Sequence, residues 1–117
     1  HLENMHLNSE ADYCDKIRHL INQALTTGDC SIERVANVLA INKRTLQRQL
    51  KVHDTSYKEL LEEVRFDMAR RYLGESSGSL TTLADMLCYS KLSVFSNAFS
   101  QRHGMSPREW RNRQTAN

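Results

Sequence analysis

Apolar positions recur at helical spacing along almost the whole chain. Ile17, Leu20, Ile21, Ala24 and Leu25 follow the i, i+3, i+4, i+7, i+8 pattern of one helical face, and Gly28 stands just beyond as a stop. Ser31 is placed to cap a second helix through Ile32, Val35, Ala36 and Leu39, with Glu33 near its positive N-terminal end. A turn at Ala40 to Asn42 follows, with Asn42 as the N-cap of a third helix that turns Leu46 and Leu50 inward. Ser56 and Glu59 read as a capping box ahead of a longer helix. Its expected inner face is Tyr57, Leu60, Leu61, Val64, Met68, Ala69 and Leu73, and Gly74 is its expected end. The run Glu75-Ser76-Ser77-Gly78-Ser79 reads as a linker. Leu80, Leu83, Ala84 and Leu87 repeat the spacing, as do Val94, Phe95, Ala98 and Phe99 up to a stop at Gly104. Ser106, Pro107 and Glu109 spell N-cap, N1 and N3 of a last helix. The pattern predicts an all-α fold of seven helices with no strand.

An internal repeat is the most informative feature. Val35-Ala36-x-x-Leu39-Ala40-Ile41 matches Leu83-Ala84-x-x-Leu87-Cys88-Tyr89, Leu46 and Leu50 match Phe95 and Phe99, and Ser56-Tyr57 matches Ser106-Pro107. Each copy is a short helix, a tight turn and a second helix. Small residues fall where two helices must approach (Ala36, Ala84) and in the turn (Ala40, Cys88). That is a helix-turn-helix, twice. The expected organisation is an N-terminal tail over 1–11 and a first helix-turn-helix subdomain over 12–55. A linker helix over 56–74, a second subdomain over 75–113 and a tail over 114–117 complete it. At about 1.5 Å per residue the linker helix is roughly 26 Å long. Such a helix is suited to hold two units for successive major grooves, roughly 34 Å apart.

Composition narrows the classes. With 117 residues, 39% hydrophobic and 26% charged, the chain suits one domain or two very small ones. Four Gly, one Pro and 7% aromatics do not support a turn-rich β-sandwich or barrel. No apolar run approaches the roughly 20 residues of a membrane span, and no signal peptide is recognisable. Cys14, Cys30 and Cys88 form an odd set without a C-x-x-C, which points away from a disulfide framework or zinc site and toward a reduced, cytoplasmic setting. With His19, His53 and His103 they match no common metal-ligand spacing, so no metal and no cofactor is expected. Glu62 and Glu63 are roughly 100° apart on a helix and do not face each other as an acid/base pair. G-x-S-x-G, P-loop and G-x-G-x-x-G patterns are absent, so no catalytic residue is assigned and an enzyme is not expected. The chain begins at His1, and its first residues read as a vector-derived scar or linker tail on a piece of a longer protein.

Net charge is only +2, but its distribution is uneven. Residues 1–41 hold three Lys/Arg against six Asp/Glu, and residues 42–117 hold thirteen against eight. Lys43, Arg44, Arg48 and Lys51 lie together without an acid, and Arg102, Arg108, Arg111 and Arg113 cluster near the end. Clustered basic charge attracts phosphate where total charge would not. A solvated helix face has the same composition, so charge alone decides nothing.

In a helix-turn-helix the second helix enters the major groove with its N-terminal residues foremost. In the first copy those are Asn42, Lys43, Arg44, Thr45, Gln47 and Arg48, with Lys51 a turn on. Arg suits guanine bidentately, Gln suits adenine, and Lys or Thr suits phosphate. In the second copy the expected exposed set is Ser90, Lys91, Leu92, Ser93, Ser96, Asn97, Ser100 and Gln101. Short hydroxyls dominate it, which predicts positioning more than base readout. Ser31, Arg102 and Arg108 are further phosphate candidates. Trp110 reads as packing rather than base stacking.

Several of these stretches carry a family resemblance. Arg44-Thr45-Leu46-Gln47-Arg48, Ser56-Tyr57, Arg65, Ala69, Phe95-Ser96-x-Ala98-Phe99 and Gly104-Met105-Ser106-Pro107-x-x-Trp110-Arg111 resemble the DNA-binding domain of the AraC/XylS family of bacterial transcription regulators. The resemblance covers about residues 12 to 113. It implies seven helices, two helix-turn-helix subdomains and a linker helix. It also implies binding to double-stranded promoter DNA, usually as an activator that contacts RNA polymerase. Many members carry a separate N-terminal effector or dimerisation domain, which would be missing from this chain. Three positions depart from the family pattern: Cys88 and Asp54 stand where Gly is usual, and Asn97 where Arg is frequent. Cys88 predicts strain or an altered turn in the second copy, Asp54 tolerates a left-handed backbone better than most residues, and Asn97 weakens readout by the second copy. The competing reading is a helical protein-interaction module that kept the fold and lost strong DNA readout.

Overall fold

Most helix starts in the chain are fixed by local chemistry, and so are most of the stops. The computed structural model describes the backbone of residues 9–116 and the side chains of residues 12–114. Among the described residues there are seven α-helices and no strand: α1 (Ser9–Thr26), α2 (Ile32–Val38), α3 (Lys43–Val52), α4 (Tyr57–Glu75), α5 (Leu80–Met86), α6 (Leu92–His103) and α7 (Pro107–Ala116). Residues 1–8 and 117, parts of the expected tails, lie outside the described residues. Residues 9–11 belong to the first turn of α1, and residues 114–116 continue α7. Their polar sequences give no apolar stripe from which a boundary could be read.

The capped starts use short polar side chains. Ser31 Oγ accepts from Arg34 N at 3.3 Å, Asn42 Oδ1 from Thr45 N at 2.8 Å, and Ser79 Oγ from Thr82 N at 3.1 Å. Ser106 and Glu109 form the complete capping box: Glu109 N donates to Ser106 Oγ at 3.1 Å, and Ser106 N to Glu109 Oε1 at 3.2 Å. The box at Ser56 is half made. Glu59 N donates to Ser56 Oγ at 3.2 Å, but the Glu59 carboxylate accepts from Thr55 Oγ1 at 3.1 Å instead.

The two helix-turn-helix turns are the same object built from different residues. After α2, Ala40 N donates to Asn37 O and Ile41 N to Ala36 O, both at 3.0 Å, with Ala40 at φ +59°. After α5, Cys88 N donates to Asp85 O and Tyr89 N to Ala84 O, both at 3.0 Å, with Cys88 at φ +67°. This is the Schellman arrangement, which satisfies the last helical carbonyls and needs one left-handed residue. Asp54, at φ +62°, closes α3 in the same way. Cys88 therefore does hold the strained conformation expected of it. Replacing Ala40 or Cys88 by Gly should raise stability by about 0.5–1 kcal/mol each, the left-handed cost less the extra entropy of Gly. Urea unfolding of the two variants checks this.

The chain forms two compact units, one up to Val64 and one from Arg65 on. The core of the first is Ile17, Ile21, Ala24 and Leu25 from α1, Val35 and Ala36 from α2, Leu46 and Leu50 from α3, and Leu60 and Val64 from α4. The core of the second is Phe66, Ala69, Leu73, Leu83, Ala84, Leu87, Phe95 and Phe99, with Trp110, Leu92 and Tyr89 packed against it. The buried positions of α4 change phase between Val64 and Phe66, because its two ends serve different cores. The single inner face expected for this helix is corrected on two points. Phe66, which it omitted, is 2% exposed, and Tyr57, Leu61 and Met68 are only half-buried. Gly74 does not end α4, which runs one residue further.

Candidate nucleic-acid interface

In the first unit, Leu46 and Leu50 are fully buried and fix the rotation of α3. The opposite face then presents Arg44, Gln47, Arg48 and Lys51, all exposed. Their side chains make no hydrogen bond or ion pair with any described residue. Helix α3 contains no acidic residue. Lys43 Nζ lies 3.5 Å from Glu33 Oε2, an exposed pair worth little in water. Asn42 is the N-cap, and Thr45 is half-buried. Tethers hold α3 in place. Tyr13 stacks on His53 at the C-terminal end of α3, with centroids 5.0 Å apart, and its hydroxyl donates to Gln49. Tyr57 Oη donates to Cys30 O at 2.8 Å, pinning the loop that leads into α2.

The second unit places α6 by burying Phe95 and Phe99 completely. Ser90, Lys91, Ser93, Asn97 and Gln101 are exposed, as expected, and Ser96 and Ser100 are half-buried on the flanks. Leu92 corrects the sequence reading: it is half-buried and packs on the core cluster rather than facing out. Val94 is the reverse case: its apolar character predicts an inward position, and it is 45% exposed. A wheel at about 100° per residue anchored on Phe95 and Phe99 would have placed both. Arg65, a residue of the family resemblance that no spacing rule singles out, holds the turn. Its Nε donates to Leu87 O at 2.9 Å and its Nη2 to Cys88 O at 3.5 Å, with the guanidinium 4.2 Å from the Tyr89 ring centre.

The phosphate candidates fare differently. Arg108 is exposed at the start of α7. Arg102 lies over the Phe66 ring at 5.3 Å. The Ser31 hydroxyl serves as the α2 cap, and hydrogen bonds from Ser31 hold the nearby Asp29 carboxyl below its usual range. Trp110 packs edge-on to Phe99 at 6.3 Å. Among the described residues, no group of three or more His, Cys, Asp or Glu could hold a metal ion.

His103 closes α6. It stacks on Phe99 at 3.9 Å, its Nδ1–H donates to Phe99 O at 3.1 Å, and Arg70 Nη1 donates to its Nε2 at 2.9 Å. Burial lowers its pKa below the usual histidine value, and Arg70 and Arg102 push the same way against the Phe99 carbonyl. The native state thus favours the neutral ring. The unfolded chain binds the extra proton first, so the stability contribution is whole above about pH 6.5 and declines as pH falls below it. Urea midpoints at pH 7.5 and 5.5 should show this loss, and His103→Gln should flatten it.

Comparison with known proteins bears on this geometry. Residues 35–113 match the family model described as "Helix-turn-helix domain". The HTH-type transcriptional regulator VirS of Mycobacterium tuberculosis is 34% identical over 111 residues, covering 95% of this chain and 33% of that protein. The crystal structure of the transcriptional regulator CdpR from Pseudomonas aeruginosa superposes with a TM-score of 0.66 at 35% identity, over 70% of this chain and 26% of that one. An AraC-type DNA-binding domain-containing regulator from Chromobacterium violaceum shares the fold, with a TM-score of 0.70 at 20% identity over 86% of this chain and 93% of that one. The chain spans about a third of the length of VirS. A family model matched from the first helix-turn-helix through the last helix, on a fold that repeats the motif, places the chain in the AraC/XylS family of helix-turn-helix DNA-binding transcription regulators.

Proposed function

We propose that this chain is the DNA-binding part of a larger transcription regulator and binds promoter DNA sequence-specifically, with α3 as its principal reading helix. One observation carries the reading: Arg44, Gln47, Arg48 and Lys51 stand together on the exposed face of α3 with no partner among the described residues. Held opposite the buried Leu46 and Leu50 on the second helix of a helix-turn-helix, these donors are available for base edges and phosphates. In the second unit Ser90, Lys91, Ser93, Ser96, Asn97, Ser100 and Gln101 supply the face toward DNA, and Arg108 supplies a phosphate contact. An activator role fits the Escherichia coli relative named transcriptional activator CfaD, 22% identical over 109 residues. RNA polymerase and an N-terminal effector or dimerisation domain outside this chain are the proposed protein partners, and the cytoplasm is the proposed location. Among the described residues no helix is long and apolar enough to cross a membrane. The sparse basic charge on α6 favours one rival, a protein-interaction module.

Salt dependence separates the two. Neutralised phosphates release counterions, so affinity for duplex DNA should fall steeply between about 50 and 200 mM salt. Lys51→Ala should lower the log–log slope by about one. Anisotropy titrations of a labelled mixed-sequence duplex measure both. Undetectable binding, or binding indifferent to salt, would favour the interaction module.

A further inference from the structure

We infer that Val94 reads a thymine methyl group in the major groove, so that α6 selects A·T pairs; this rests on the DNA-binding reading above. Val94 is the third residue of α6, in the N-terminal turn that meets base edges in this motif. It is 45% exposed and is not among the side chains packed on the core of its unit. The neighbouring Leu92 takes the core contact instead. A β-branched apolar residue on a wet helical face has poor helix propensity and leaves apolar surface in water, so its exposed part does not stabilise the fold.

Its surroundings give the position a chemistry. Val94, Asn97 and Gln101 follow i, i+3, i+7 spacing and form one exposed row. An A·T pair shows the major groove an adenine N7 acceptor and N6 donor on one base and a methyl group on the other. An Asn or Gln amide matches the first and an apolar side chain matches the second. The row holds both kinds of group and no charge. The corresponding α3 face carries Arg44 and Arg48, which suit guanine. The second copy is therefore a reader of different bases, and Asn97, where the family often has Arg, is part of that composition.

The test uses the full chain and duplexes enriched from a randomised pool. Each thymine in the enriched duplex is replaced in turn by deoxyuridine, which lacks only the methyl. At one position this should weaken binding about fourfold, equivalent to about 0.8 kcal/mol for one methyl left in water. Val94→Ser should bind the thymine and uracil duplexes equally. Val94→Thr, which keeps a methyl, should restore the difference. Silence at every thymine, or a Val94→Ser protein as sensitive to the methyl as the unmodified chain, would overturn the assignment while leaving DNA binding intact. A pool that enriches no sequence at all would overturn both.

Discussion

Phe99→Ala is expected to destabilise the second unit by about 3–5 kcal/mol. Phe99 is fully buried, and its ring meets Phe66 at 6.1 Å, Phe95 at 5.8 Å, His103 at 3.9 Å and Trp110 at 6.3 Å. These neighbours come from α4, α6 and α7, so truncation opens a void where three helices converge. They are aromatic and rigid, and close the void poorly. A unit this small has few other core residues to absorb the loss. Trp110 is the only tryptophan in the chain and packs on the deleted ring, so its fluorescence follows this unit. The denaturant midpoint read from Trp110 should fall sharply. An unchanged midpoint would mean that Phe99 does not organise this core.

Arg48→Ala should lower affinity for a specific duplex by about 1–3 kcal/mol, roughly 5- to 150-fold, and relax the preference at a guanine. Arg44→Ala should do the same at a neighbouring position. Both side chains are exposed and make no hydrogen bond or ion pair with described residues, so neither substitution removes a polar contact that holds the fold. The loss should appear in specific binding, with affinity for unrelated duplex falling only as far as one phosphate contact allows. Titration of specific and scrambled duplexes at one salt concentration measures the difference. Equal losses on both would make the two residues phosphate clamps rather than readers.

Most of the fold, and the exposed face of α3, can be read directly from the amino-acid pattern. The caps at Ser31, Asn42 and Ser106 and the left-handed stop at Gly104 are local signals, written in a few adjacent residues. The repeat exposes both turns, because a left-handed position between two helices selects small or special residues, and Ala40 and Cys88 mark it. Where the pattern misleads, tertiary demands outweigh it. Phe66 sits two residues after Val64, off any single helical stripe, and only a helix serving two cores buries both. Val94 is apolar beside a buried Phe, so composition draws it inward while rotation about Phe95 and Phe99 turns it out. Arg65 hydrogen-bonds carbonyls 22 and 23 residues away, a contact that spacing does not encode.

Selection from a randomised duplex pool, with excess non-specific competitor, tests the central claim most directly. The unmodified chain should enrich a defined sequence containing guanines. Repeating the selection with Arg44→Ala and with Arg48→Ala should blur those guanines and leave the rest of the sequence standing. A pool that stays random after successive rounds with the unmodified chain would contradict sequence-specific recognition by this domain.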